Sequence, residues 1–296
     1  MSGPPLVTGG SGFAGPHLLA LLGEAVAPRR SELDLLDGDA VEGLVRSAQP
    51  GAVFHLAARA SVRRSWEAPG ETLRANLDMT LNVLEAVRRS APEAAVLLVG
   101  SGETYGAPER LPVTEDAPLR PQNPYAVSKA ACDLLGGQYV DAHGMRVVRT
   151  RSFNHAGPGQ SDEYVVGTLT RQVAEAELAG GSEAVLRVGN LEAARDFTDV
   201  RDVVRAYAAM VELPAGAYNV CSGRSVSIAE VVELLGRVSK VEVRAEVDPE
   251  RLRTHEVPEI RGSASRLQEA TGWEPEIPLE QTLADALAAW RERLAA

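Results

Sequence analysis

In the first half of the chain, short apolar runs alternate with stretches in which apolar residues recur every three or four positions. Leu6 to Thr8, Val53 to Ala57, Val96 to Gly100 and Arg146 to Thr150 have the length and β-rich content of buried strands. Between them, Leu73, Leu77, Leu81, Leu84 and Val87 follow helical spacing and predict a helix from Thr72 to Ser90. Leu134 and Leu135 with their neighbours predict another from Pro124 to His143. This alternation predicts an α/β fold built on a doubly wound parallel sheet of Rossmann type.

After about residue 155 the rhythm changes to Pro/Gly-punctuated segments and shorter helices. One helix is expected from the N-cap Ser227 to Val238, and a last one from Leu279 to Ala295. The expected division is a first body over residues 1–155 and a smaller C-terminal α/β lobe over 156–296. Asp199 to Val220 reads as a helix followed by a strand, Ala217 to Val220, that returns to the first body.

Composition narrows the partners. With 45% hydrophobic and 24% charged residues among 296, the chain reads as an ordinary globular protein. A net charge of -11 and no Lys/Arg block argue against nucleic acid, although a few converging arginines can still bind a small anion. Cys132 and Cys221 are too few for a disulfide framework or a metal site, and are expected as buried thiols in a reducing compartment. No secretory leader precedes the first motif and no apolar run approaches a membrane span, so a cytoplasmic location is expected.

Val7-Thr8-Gly9-Gly10-Ser11-Gly12-Phe13-Ala14-Gly15 follows the first predicted strand and opens a helix. In that setting the loop predicts a dinucleotide site: Gly9 for the tight turn, Gly12 for approach of a pyrophosphate, Gly15 for close helix packing, with Phe13 and Ala14 also at the cofactor. The helix N-terminus offers free N–H groups to the anion, and Pro16 suits a first turn. Residues 1–155 thus become a dinucleotide-binding domain. The second strand, Ala25 to Ala27, ends in Pro28-Arg29-Arg30 where an NAD site usually has an acid. Arg29 and Arg30 favour NADP(H), with NAD(H) as the alternative. Asp34 and Leu35 follow so soon that the second and third strands nearly merge, and both are expected at the adenine.

Tyr125 and Lys129 stand four residues apart, on one face of a predicted helix. A phenol with a pKa of about 10 needs a cation nearby to act at neutral pH, and a three-unit shift corresponds to roughly 4 kcal/mol. Ser101, at a predicted strand end, can hydrogen-bond the same reacting oxygen, with Glu103 two residues on.

The glycine loop, Ser101 and the Tyr125/Lys129 pair resemble the extended short-chain dehydrogenases/reductases. Within them the chain is similar over its whole length to the GDP-4-keto-6-deoxy-D-mannose reductases, and next to the GDP-mannose 4,6-dehydratases. The similarity rests on His55 to Val62, Ser65-Trp66, Phe153-Asn154-His155-Ala156-Gly157-Pro158-Gly159-Gln160, Val188 to Asp202, and Tyr218 to Gly223. Gly102 departs from the Ser usual in the reductases. The resemblance implies that Ser101, Tyr125 and Lys129 are catalytic, that Tyr125 and Lys129 also meet the cofactor, Lys129 at the nicotinamide ribose, that Leu56, Ala57 and Ala58 line it, and that Asn76 supports its site. It implies sugar-nucleotide contacts from Ser61, Asn154, Arg195, Arg253 and Glu256, and arginine chemistry adds Arg171 as a cation for the diphosphate. A homodimer through the helices 72–90 and 124–143, in a four-helix bundle, is implied as well.

The expected activity is NADPH-dependent reduction of the C4 ketone of a GDP-4-keto-6-deoxyhexose, giving a product such as GDP-D-rhamnose. The nearest rival is a 4,6-dehydratase or an epimerase, since Glu103 lies where the dehydratases carry their base. A rival of another class is a non-catalytic dinucleotide sensor on the same scaffold.

Overall fold

A computed structural model describes residues 3–252 and 257–296. The chain runs β1 (Pro5–Thr8), α1 (Gly15–Leu22), α2 (Gly38–Ala48), β2 (Ala52–His55), α3 (Val62–Glu67), α4 (Pro69–Ser90), β3 (Ala95–Val99), α5 (Pro124–His143), β4 (Val147–Ser152), β5 (Asn154–Ala156) and α6 (Val165–Leu178). It continues through β6 (Glu183–Val188), β7 (Ala194–Asp199), α7 (Val200–Met210), β8 (Gly216–Val220), β9 (Ser225–Ser227), α8 (Ile228–Val238), β10 (Glu242–Val247), β11 (Glu259–Ile260), α9 (Ser265–Thr271) and α10 (Leu279–Ala295).

The main sheet is parallel, in the order β1-β2-β3-β4-β8, and its strands are buried on both faces, which is why their sequences read as unbroken apolar runs. β8 arrives late in the chain and pairs with β4, Thr150 beside Tyr218. The expected second strand shrinks to one pairing, Val26 beside Leu6, closed by two backbone bonds of 2.8 and 2.9 Å. Pro28 has no N–H to extend that ladder, and the chain turns instead until α2.

The helix expected from Thr72 begins earlier, at Pro69, but its apolar stripe does not all turn inward. Leu84 and Val87 are buried, whereas Leu73 and Leu81 are exposed and Thr72, Asn76 and Thr80 take the inner face. α5 behaves alike: Ser128, Lys129 and Asp133 are buried, and Val127 and Leu134 are exposed.

A second core gathers Leu169 of α6, Leu186 of β6, Leu235 of α8 and Leu283, Leu287 and Trp290 of α10. It underlies a β6/β10 pair and a small sheet in the order β11-β7-β5, with β9 antiparallel to β7. Ser227 caps α8 as expected, in a reciprocal capping box with Glu230. Trp273 is core, under α7, and Trp66 is exposed.

Candidate functional site

The glycine loop is a close-fitting turn between β1 and α1. Gly9 has φ 77°, and a methyl group there would sit 2.6 Å from the backbone N of Ala57. At Gly15 it would meet the Gly10 carbonyl oxygen at 2.3 Å, so α1 packs directly on the loop backbone. The Gly12 N–H bonds Gly9 O at 3.0 Å. Among the described residues no side chain caps α1, so its first N–H groups are open to an anion. Leu56, Ala57 and Ala58 leave the end of β2 beside this turn, Leu56 N bonding Thr8 O at 3.0 Å.

Arg29 and Arg30 are exposed beyond the single pairing at Val26. Among the described residues neither guanidinium has an ion-pair partner, although Arg29 N bonds Glu32 at 2.8 Å. Asp34 is exposed and bonds Leu36 N at 3.0 Å; Leu35 anchors its carbonyl on Asn82 at 2.9 Å.

β3 delivers Ser101 to the mouth of the sheet, and a 3-10 turn, Gly102–Tyr105, follows it. Ser101 Oγ accepts the Glu103 N–H at 3.2 Å. Gly102 has a local reason to lack a side chain, because a methyl there would lie 3.1 Å from the Phe153 ring. Glu103 accepts a 3.0 Å bond from Asn123, and Asn123 also caps α5 through Ala126 N at 2.8 Å. Asn123-Pro124 is an N-cap and first-turn proline in plain sight of the sequence, and sequence reasoning missed its second duty.

On α5, Lys129 is buried and its Nζ donates to Val99 O at 2.8 Å. Burial pushes its pKa down. Burial likewise pushes the Tyr125 phenol well above the usual tyrosine range, and the hydrogen bond with Ser101 only partly opposes this. Asn76 clamps three segments: it donates to Ser128 Oγ at 2.8 Å, accepts from Arg59 N at 2.7 Å, and Ser128 in turn donates to Tyr125 O at 2.7 Å. Beneath it His55 bridges Thr8 and Thr80 at 2.7 and 3.3 Å, held neutral by burial.

Asn154 starts β5, aligned with Phe197 of β7. Arg195 on β7 donates to Ala194 O at 2.8 Å. Ser61 caps α3, accepting Arg64 N at 3.3 Å. Arg171 is already engaged, by Asp162 at 3.2 Å and Glu175 at 2.8 Å. Arg253 and Glu256 lie outside the described residues. The neighbouring Asp196 is buried and accepts four bonds, two from Ser222, one from Gly223 and one from Gly262. It therefore ties the Ser222–Gly223 turn and Gly262 to β7.

The family model for GDP-mannose 4,6 dehydratase matches residues 26–286. GDP-6-deoxy-D-mannose reductase of Pseudomonas aeruginosa is 41% identical over 297 residues, 97% of each chain. GDP-mannose 4,6-dehydratase of Yersinia enterocolitica is 27% identical over 287 residues, 86% of this chain and 77% of the relative. The structure of RMD from Pseudomonas aeruginosa complexed with NADPH matches with a TM-score of 0.90 at 38% identity, over 99% of this chain and 100% of that one. The fold therefore has close counterparts along the whole chain, which belongs to the GDP-mannose 4,6-dehydratase family of the extended short-chain dehydrogenases/reductases.

Proposed function

We propose that the protein reduces the C4 ketone of a GDP-4-keto-6-deoxyhexose to a GDP-6-deoxyhexose such as GDP-D-rhamnose, using NADPH. The observation that carries this reading is the Ser101–Tyr125–Lys129 site, with Ser101 at the end of β3 and Lys129 fixed on Val99 O at 2.8 Å, in a chain 41% identical to a GDP-6-deoxy-D-mannose reductase.

The uncapped α1 and the glycine turn fit the pyrophosphate of a dinucleotide, and the exposed Arg29 and Arg30 fit a 2'-phosphate. When bound, the cofactor supplies the hydride for C4. Tyr125 gives its proton to the C4 oxygen as charge develops there, and Ser101 Oγ orients that oxygen. Lys129, fixed by Val99 O, holds positive charge beside the phenol as it ionises. Asn154, Ser61 and Arg195, with Arg253 and Glu256, hold the sugar nucleotide; Arg171 would join them only on release from Asp162 and Glu175. Residues 1–155 with 199–220 carry the cofactor, and 156–296 mainly the substrate.

Among the described residues no helix is long and apolar enough to cross a membrane, and both cysteines are buried free thiols; action in the cytoplasm suits both. The enzyme works as a homodimer, with the exposed Leu73, Leu81, Val127 and Leu134 of α4 and α5 buried in a four-helix bundle.

The test is an assay with the GDP-4-keto-6-deoxy sugar. One NADPH is expected to be oxidised per sugar reduced, and GDP-mannose without added NADPH is expected to remain unchanged. Formation of the 4-keto sugar from GDP-mannose with no net NADPH consumption would replace this reading with the dehydratase.

A further inference from the structure

Two contacts join the glycine loop to the segment that carries Asn154. Phe13 lies flat on His155, ring centroids 5.7 Å apart and planes 3° from parallel. One helical turn on, His17 Nε2 donates to the carbonyl of Pro158 at 2.9 Å. The receiving segment is stiffly backed: Gln160 donates to His155 O at 2.8 Å and accepts the Gly167 N–H at 3.2 Å, in the first turns of α6. Burial also keeps His155 neutral, so the stack is between two uncharged rings. The loop that faces the cofactor and the strand that faces the sugar are therefore pinned to each other at two points.

We infer that Phe13 and His17 are positioning residues that couple the two binding sites, so that dinucleotide and sugar nucleotide each bind more tightly in the presence of the other. The inference rests on the ligands assigned under the proposed function. A ligand that settles one loop settles its neighbour through the stack and the hydrogen bond, and the second ligand then has less ordering to impose. Coupling of this kind is reciprocal: the factor by which NADPH tightens GDP binding equals the factor by which GDP tightens NADPH binding.

Calorimetric titration of the full chain with GDP, alone and with saturating NADPH, reads the coupling directly. The wild type is expected to bind GDP about fivefold or more tightly with NADPH present, the low end of usual coupling factors. His17→Ala and Phe13→Leu are expected to bring that ratio below about twofold, while Phe13→Tyr, which keeps a stacking ring, retains it. In turnover, His17→Ala should raise KM for the sugar nucleotide by a larger factor than it lowers kcat. Loss of packing alone would lower the melting temperature and leave the ratio where it was. Two ligands that bind the wild type independently, or a ratio unchanged in both His17→Ala and Phe13→Leu, overturn the inference while the functional reading stands. Absence of any GDP binding removes both.

Discussion

A tyrosine that donates a proton must carry one when the substrate arrives, as a phenol does at neutral pH, and burial shifts Tyr125 further in that direction. Tyr125→Phe removes the proton while changing little that the cofactor touches, so turnover is expected to fall by at least about a hundredfold with NADPH binding nearly intact. Fluorescence titration beside a steady-state assay checks both halves; a variant that keeps more than about a hundredth of kcat assigns the acid elsewhere. His55 makes a second residue-scale prediction. Its pKa is lowered to about 3 by burial, with Lys129 adding to it, so between about 6.5 and 3 the unfolded chain takes up a proton that the folded one refuses. Stability is thus expected to fall as pH drops through that window, by up to about 1.4 kcal/mol per unit from this group. His155, also pushed down by burial, adds to it. Glu85, held at about 2 mainly by Arg88, contributes only below about 4.5. Chemical denaturation from pH 6.5 to 4.5 should therefore show a shallower slope for His55→Asn than for the wild type, and equal slopes would contradict the assignment.

At the scale of elements, the chemistry depends on how α5 is started and what its inner face carries. Asn123 caps the helix and restrains Glu103 at once, so Asn123→Ala is expected to cost about 1 kcal/mol in a urea melt, the usual value of a cap. The same change should lower kcat, whereas Asn123→Asp, which keeps the cap but faces Glu103 with a like charge, should recover stability more than activity. The small residues of α5 serve approach: a methyl on Gly136 would lie 2.6 Å from Leu98 of β3, so the helix rests directly on the sheet. In α4 the inner face is mostly polar as far as Thr80, where Ala75 sits among Thr72, Asn76 and Thr80, and is apolar from Val83 onward. That reversal leaves Leu73 and Leu81 outside, so an amphipathic pattern located the helix without telling which way its stripe points.

For the whole molecule, the exposed leucines of α4 and α5 predict assembly. Light scattering is expected to find a dimer for the wild type and a monomer for the double variant Leu81→Asp with Leu134→Asp; a monomeric wild type would remove the four-helix bundle. The five strands of the main sheet, α5, α8, α10 and the glycine turn were legible in the sequence because each depends on residues a few positions apart: burial sets an apolar run, a cap and a proline set a helix start, and a tight turn needs glycine in place. The second strand was misjudged in length, because a single proline ended a ladder whose partner lies elsewhere in the chain. Tertiary structure alone decided that Arg171 is taken up by Asp162 and Glu175, and that Asp133 on α5 forms a buried pair with Arg151 on β4. It alone brought His17 to Pro158, 141 positions away. Local spacing determined which elements form and which chemical groups stand at their ends; sheet order and packing decided which of those groups meet, because long-range contacts between charges and rings leave no periodicity in the chain.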